Sequence, residues 1–450
     1  MEPKFYIATA IFILAYAVIV TDKIHKTIIA LFGAALVLGL KILEQHEAFN
    51  SQEFGIDYNV IFLLISMMII INIIRETGVF QWLAIKSAKI AKGDPFTILI
   101  IFNLVTAVTS AFLDNVTTVL FLVPITLAIT KELKVDPIPY LITEALASNI
   151  GGTATLIGDP PNIMIASKAN LDFMAFIYNL TPVVIIILIA YLITLKFIFG
   201  KAFHTNEELR ENIMKMQENK AIKDHKLLKK SLIVLSFTIL GFVFHGALHY
   251  EPATVALCGA ATLLLVSHKN PATILTPGGL LREVEWTTIF FFIGLFIIIG
   301  GVVKVGLIGI LAKKLLDLTH GNLLGTSMVV LWASAFLSAI IDNIPYVATM
   351  NPLIIDMAKQ LWPHVTDPDA LVQYRDLMPI WWSLALGACL GGNGTAIGAS
   401  ANVMICGLSE KAGHFIAFKK FTLYGMPLMI ESVFISMIYV WIRYYVLGWI

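Results

Sequence analysis

The sequence predicts an all-α polytopic membrane protein built from two inverted-topology repeats, each with a re-entrant hairpin and an interrupted helix. Three observations carry that reading. Only 14% of the 450 residues are Asp, Glu, Lys or Arg, against 58% in the apolar class, whereas an ordinary soluble domain has about a quarter charged residues. The apolar residues fall in runs that reach the roughly 20 residues a helix needs to cross a bilayer. Polar motifs then recur inside those runs, in the same order, in both halves of the chain.

Composition also excludes several classes. A net charge of +1, from 31 basic and 30 acidic residues, leaves no footprint for nucleic acid. Cys258, Cys389 and Cys406 are widely spaced in or beside apolar segments and form no CxxC, so neither a disulfide framework nor a metal site is expected. No GxxxxGK[ST] sequence is present, so any ATPase would have to be a separate subunit. The chain reads as a secondary transporter that needs no cofactor, and the bilayer is its first partner.

The apolar runs place spans near 3–20, 26–43 and 58–75, a long stretch at 95–130, and spans near 137–167 and 173–199. After a polar linker come spans near 229–248, 252–267 and 285–303, a second long stretch at 322–359, and spans near 377–406 and 421–447. That amounts to about 10 full spans plus two hairpins. The start, "MEPKFYIATAIFILAYAVIV", is read as a first span rather than a cleaved leader.

Charge sets the orientation, because cytoplasmic loops are rich in Lys and Arg. The linker carries Lys201, Arg210, Lys215, Lys220, Lys223, Lys226, Lys229 and Lys230 and is expected inside, with His204 and His225 as solvated residues. Loops at Lys23 and Lys26, at Lys86, Lys89 and Lys92, at Lys131 and Lys134, and at Lys269 and Arg282 join it, while 44–57 has no Lys or Arg and reads as external. The stretch 95–130 is basic at both ends, so it enters and leaves on one side, with its tip near "FLDNVTT"; a complete two-span hairpin is the alternative to the re-entrant form. The chain divides into a first transmembrane repeat at 1–199, a cytoplasmic linker at 200–228 and a second repeat at 229–450.

Self-comparison gives the repeat its register. The segment starting at Asp57 aligns without gaps on the one starting at Glu285, an offset of 228. "SAFLDNVTTVLFLVP" (110–124) then falls on "SAIIDNIPYVATMNP" (338–352), pairing Asp114 with Asp342 and Asn115 with Asn343. After a 12-residue insertion, "GGTATLIGDPPNIMI" (151–165) matches "GGNGTAIGASANVMI" (391–405). An odd number of crossings in the first half makes its copy inverted, a known architecture for alternating access.

The motifs point to a solute or ion site. Gly and the Pro160–Pro161 pair interrupt a helix, and in hydrocarbon the freed backbone groups must face protein or a polar cavity. Gly152, Thr153, Thr155, Asn162, Gly392, Asn393, Thr395 and Asn402 are therefore candidate ligands, with close packing through small residues as the bland alternative. Asp114 and Asp342, at the expected tips, fit a transport pathway or a helix cap. Asp159 stands opposite Ala399 and is the asymmetric candidate for proton or cation coupling, against a local cap of the "GDPPN" turn.

These four motifs resemble those of the ArsB/NhaD group of the ion transporter superfamily, which includes arsenite pumps, sodium/proton antiporters and P-protein relatives. The resemblance covers almost the whole chain. It implies two inverted repeats bordering a central site, often in homodimers, within the bacterial cytoplasmic (inner) membrane. Carried over by position, it assigns Asp114, Asn115, Thr117 and Thr118 to the first hairpin, and Asp342, Asn343 and Thr349 to the second. The lack of a large extra domain is similar to arsenite/antimonite efflux permeases, so export of a small inorganic solute, a neutral trivalent hydroxide exchanged for protons, is expected. Sodium/proton antiport is the nearest alternative. Organic-anion transport ranks lower, because the motifs contain carboxylates and no Lys or Arg, and a channel is a further, less favoured alternative. If Asp159 couples transport to protons, Asp159→Asn should flatten the pH dependence of transport in proteoliposomes, and an unchanged profile excludes that role.

Overall fold

The structure is a computed structural model that describes residues 3–21, 23–203, 206–267 and 277–449. The expectations for His204 and Lys269 lie outside the described residues. Every regular element among the described residues is helical. The first half runs α1 (Pro3–Thr21), α2 (Lys26–Gly39), α3 (Gln45–Asn50), α4 (Tyr58–Glu76), α5 (Val79–Ile90), α6 (Pro95–Phe112), α7 (Asn115–Glu132), α8 (Ile138–Gly152), α9 (Pro160–Ala169), α10 (Phe173–Asn179) and α11 (Thr181–Phe199). The short α12 (Glu207–Lys215) follows. The second half runs α13 (His225–Phe244), α14 (Pro252–Ser267), α15 (Pro277–Arg282), α16 (Trp286–Lys304), α17 (Leu307–Thr319), α18 (Leu323–Ile340) and α19 (Asn343–Leu361). It ends with α20 (Pro368–Val372), α21 (Met378–Gly391), α22 (Ser400–Lys411) and α23 (Phe418–Val440).

Nine helices among the described residues are long and apolar enough to cross a membrane, so this is an all-α, multi-pass membrane protein. Three of the nine, α6, α7 and α18, are arms of the two hairpins. The expected spans at 26–43 and 252–267 are shorter than a full crossing. α2 has 14 residues and α14 has 16, which at 1.5 Å per residue reach about 21 and 24 Å of a roughly 30 Å hydrocarbon core. A helix of that length cannot reach both faces of the membrane, and Lys26 is the first residue of α2.

The same local chemistry starts the same helices in both halves. Asp94 caps α6 by accepting the Thr97 N–H, and Asn322, 228 residues on, caps α18 by accepting the Gly325 N–H. Gly78 and Gly306, which precede α5 and α17, both have left-handed backbone at φ 82° and 83°, a conformation glycine adopts without the usual side-chain clash. α7 and α19 carry Pro124 and Pro352 at matching positions.

The halves interlock rather than sit side by side. α2 packs on α16 of the other half, and α14 packs on α4; α7 meets α22, and α19 meets α9. Each interrupted helix is thus held by the opposite hairpin. Within a half, α6 crosses α8 and α18 crosses α21 at backbone contact. A Cβ added to Gly151 would lie 2.0 Å from the Ala107 carbonyl oxygen, and one on Gly391 2.5 Å from that of Ala335.

The linker is partly folded against α5. The Lys89 ammonium donates to Glu218 at 2.7 Å and holds that carboxyl down at about 2, while Arg210 pairs with Asp94 at 2.9 Å. His225, expected in the linker, is instead the first residue of α13, which starts early because Asp224 caps it. The 44–57 segment contains α3, whose Glu44 and Glu47 form a capping box.

The crossing contacts generate a prediction. Gly151→Val and Gly391→Val should each destabilise the protein by at least the roughly 1–3 kcal/mol typical of overpacking, because the obstacle is backbone. A lowered melting temperature in detergent would show it, whereas Gly407→Val, with open space around it, should leave melting nearly unchanged.

Candidate functional site

Each hairpin turns at an Asp that caps its second arm. Asp114 accepts the Thr117 N–H at 2.9 Å through Oδ1 and the Thr117 hydroxyl through Oδ2. Asp342 accepts the Ile344 N–H at 3.1 Å. Capping accounts for one oxygen of Asp342 and leaves Oδ2 for other partners.

The interrupted helices unwind over Thr153–Asp159 and Thr395–Ala399. Much of the expected ligand set is occupied in holding these segments. Asn162 sends its amide to the carbonyls of Gly152, Thr153 and Thr155 at 3.5, 3.1 and 2.9 Å. Asn402 does the same to Gly392 and Thr395 at 2.8 and 2.9 Å. The hydroxyls of Thr155 and Thr395 donate to the carbonyls of Ala111 and Ala339, which correspond at the offset of 228. Thr153 donates back to the Asn149 carbonyl. These side chains meet the backbone demand that the glycine breaks create, so most of their donors are turned away from any solute.

The two segments face each other through residues outside the quoted motifs. Asn149, in α8, donates to Asn393 at 2.9 Å and to Asn402 at 3.1 Å, and accepts from Asn115 at 3.0 Å. Its counterpart at an offset of 240 is Cys389, whose thiol donates to Asn162 at 3.4 Å. The cross-repeat contact is therefore kept, with an amide on one side and a thiol on the other. Asp159 is fully buried, makes no side-chain cap to α9, and takes the Asn343 amide at 3.4 Å on both oxygens. It lies within electrostatic range of Asp114 and Asp342.

One cation reaches this carboxylate cluster. Lys26, expected in a loop with Lys23, begins α2 and points inward, with Nζ 2.5 Å from Asp342 Oδ2 and 2.9 Å from Ser400 Oγ. The ammonium also lies 5.0 Å from the centroid of the Phe291 ring in α16, a favourable cation–π placement. The Lys26 side chain is 26% exposed and the Asp342 side chain 10%, so the pair is largely removed from bulk solvent. Thr349 is occupied by Tyr16, hydroxyl to hydroxyl at 2.7 Å. Asn115 Oδ1 and Thr118 Oγ1 are buried without a hydrogen-bond partner.

The structure thus brings Asp114, Asn115, Asp159, Asp342, Asn343 and the two Gly-rich segments together. Thr117, Thr155, Thr349, Thr395, Asn162 and Asn402 support them through hydrogen bonds within the protein. Sequence reasoning missed Lys26, Asn149, Ser400 and Tyr16. Asn149 and Ser400 were legible as breaks in the repeat, opposite Cys389 and Pro160, while nothing local marked Lys26 or Tyr16. Asn149→Ala removes three bonds and strands buried amides, a loss of about 1–3 kcal/mol for each group left unsatisfied. A melting temperature within error of wild type would show that Asn149 does not hold the halves together.

Comparison with known proteins corrects the expected substrate. The family of citrate transporters, CitMHS, matches residues 16–387. An uncharacterized transporter of Mycobacterium bovis is 45% identical over 98% of this chain and 99% of its own length. A 46 kDa membrane protein of Mycobacterium leprae is 43% identical over 98% and 99%. Of the relatives the motifs implied, the P protein of Homo sapiens is found, 31% identical over all of this chain and 61% of its own length. The crystal structure of the Alcanivorax borkumensis YdaH transporter shares the fold with a TM-score of 0.56 and 12% identity, covering 100% of this chain and 99% of that one. The assignment to the ArsB/NhaD arsenite permeases, and with it arsenite or antimonite efflux, is overturned by the family match. The family match also runs against the lower rank given to organic anions, and Lys26 is a cation that lies outside the four motifs. The protein is a multi-pass membrane transporter, not an enzyme, and the chain belongs to the CitMHS family.

Proposed function

We propose that this protein is a secondary-active carrier of a small organic anion of the citrate type, a di- or tricarboxylate. The observation that carries the reading is the Lys26 ammonium, held against Asp342 and Ser400 at the meeting point of α2, the second hairpin and the second interrupted helix. An anion arriving there exchanges one carboxylate partner of Lys26 for another, which lowers the cost of taking its own charge out of water. Asn115 Oδ1 and Thr118 Oγ1 offer further hydrogen-bonding capacity.

The cluster as a whole is acidic, with Asp114, Asp159 and Asp342 against one Lys. A polyanion therefore needs cations to enter with it. Protons or Na⁺ in that role make uptake a coupled process, and Asp159, absent from the second repeat, is the natural carboxylate for it. The two halves, read as inverted repeats around this site, supply alternating access. The proposal assigns the carrier to a bacterial cytoplasmic membrane, a reading supported by its similarity to mycobacterial membrane proteins, and takes it to act as a homodimer.

Reconstituted protein should accumulate radiolabelled citrate under an imposed pH or Na⁺ gradient. Lys26→Gln should raise the KM for citrate at least about tenfold, corresponding to about 1.4 kcal/mol of lost binding, with a smaller effect on any neutral solute. A wild-type protein that moves Na⁺ against protons but shows no citrate flux would overturn the substrate.

A further inference from the structure

Glu144 stands outside the central cluster and outside the repeat. It lies in α8, six residues after Ile138, and is 1% exposed. At the offset of 240 its counterpart is Leu384. Its partner Thr126 corresponds, at 228, to Ile354, and Asn103, which bonds the adjacent Thr143, corresponds to Leu331. The first half has thus built a polar pocket where the second half has an apolar contact. Close packing alone would not require this, since the aliphatic version occurs in the same protein.

The pocket leaves the carboxyl half satisfied. Thr126, on α7, donates its hydroxyl to Glu144 Oε1 at 2.7 Å, while Oε2 is buried with no partner. Beside the carboxyl is a small cavity bordered by Ala84, Phe102, Thr106 and Leu122, with about 10 Å³ for the centre of a water. That is space for roughly one molecule. No described ion pair includes Glu144.

Among the described residues, the titratable groups around it supply no positive charge. Tyr140 of α8 donates to the Pro95 carbonyl, just inside the Asp94 cap of α6. Tyr191 of α11 donates to Asn103 and to the Thr143 carbonyl. Glu431 of α23 lies beyond Tyr191 and takes the Thr194 hydroxyl. Arg75 of α4 is committed to Glu283 and to the face of Phe121, and Cys389 of α21 belongs to the central amides. An ionised carboxylate in hydrocarbon with no cation and a free oxygen is far costlier than the neutral acid.

We propose that Glu144 is a proton-binding site, separate from the solute site, that loads and releases one proton in each transport cycle. The inference rests on the carrier reading above. The proton adds to Oε2, forming one O–H bond, and returns to water when that bond breaks; no electrons move. The architecture links the event to the hairpin. α7 carries both Thr126 and, at its capped start, Asp114, while α8 carries both Glu144 and, five residues on, Asn149. A shift of the first hairpin against α8 separates Thr126 from Glu144 and changes access to the cavity from the hairpin base, where Lys131 and Lys134 lie.

The test uses full-length protein and two readouts. In proteoliposomes, Glu144→Gln should keep citrate exchange at equal pH, which needs no net proton movement, but lose at least about tenfold in accumulation driven by a pH gradient. Accumulation and pH profile equal to wild type would overturn the proposal. The second readout needs no citrate: the wild-type minus E144Q infrared spectrum at neutral pH should contain the carbonyl band of a protonated carboxyl group that shifts in D₂O. Absence of that band, or a band unmoved by D₂O, overturns the site whatever the transported solute. If E144Q does not fold, Thr126→Val keeps the carboxyl and should shift the same band through loss of one hydrogen bond; an unmoved band is again a failure. A wild-type protein without citrate flux would fail the substrate reading while leaving the infrared result to judge Glu144 alone.

Discussion

The demand that governs this structure is that two stretches of unwound backbone, far from water, keep their hydrogen bonds. Interrupting α8–α9 and α21–α22 frees carbonyl groups that neither lipid nor bulk water can satisfy. Asn162 and Asn402 meet that demand from within each segment, and Thr155 and Thr395 tie the segments to α6 and α18. Only glycine at 151 and 391 allows those helices close enough for the ties to form. The placement of Asp114, Asp159 and Asp342 follows from this scaffold, because the hairpin tips are aimed at it.

A duplicated scaffold can do the same thing twice, and a transporter needs its two halves to differ. The differences fall at a few positions. Asp159 faces Ala399 in the alignment, Pro160 faces Ser400, Asn149 faces Cys389 and Glu144 faces Leu384. Ser400 and Asp342 together hold Lys26, so the second hairpin tip is tied to a cation from α2. The described residues of α14, the matching helix of the other half, include no Lys or Arg, and Asp114 is bonded to Thr117 instead. The shared residues build the frame, and the unshared ones set its charge.

Much of this is legible in the sequence. The repeat register, the helix breaks and the Asp-Asn tips all follow from Gly, Pro and cap residues recurring at fixed offsets, since each acts on the backbone next to it. What the sequence could not place were contacts made by reach. Tyr16 meets Thr349 across more than 300 residues, and Lys26 sits among residues that read as an ordinary basic loop. The boundary of α13 moved for a local reason, the Asp224 cap. The roles of Thr155, Thr395, Asn162 and Asn402 were ambiguous for a different reason. Residue type shows that a hydroxyl or amide is available, and only geometry shows that its donor is already taken.

The misreading of the substrate has the same origin as the misplacing of Lys26. Counting charges within the motifs yields carboxylates alone, and carboxylates repel a polyanion. Adding one ammonium does not reverse the sign of the cluster, but it changes what the cluster selects. Around Asp114, Asp159 and Asp342 the field still favours cations, so on the proposed reading an anion enters only in the company of positive charge that neutralises those groups. A site of mixed sign that is mostly acidic therefore couples anion binding to cation binding by electrostatics alone, without requiring the two ligands to touch. On that reading, removing Lys26 leaves a cation site that has lost its reason to bind an anion, and removing Asp159 leaves an anion site with less need of a cation. The balance between them, rather than either residue, is what the proposed coupling rests on.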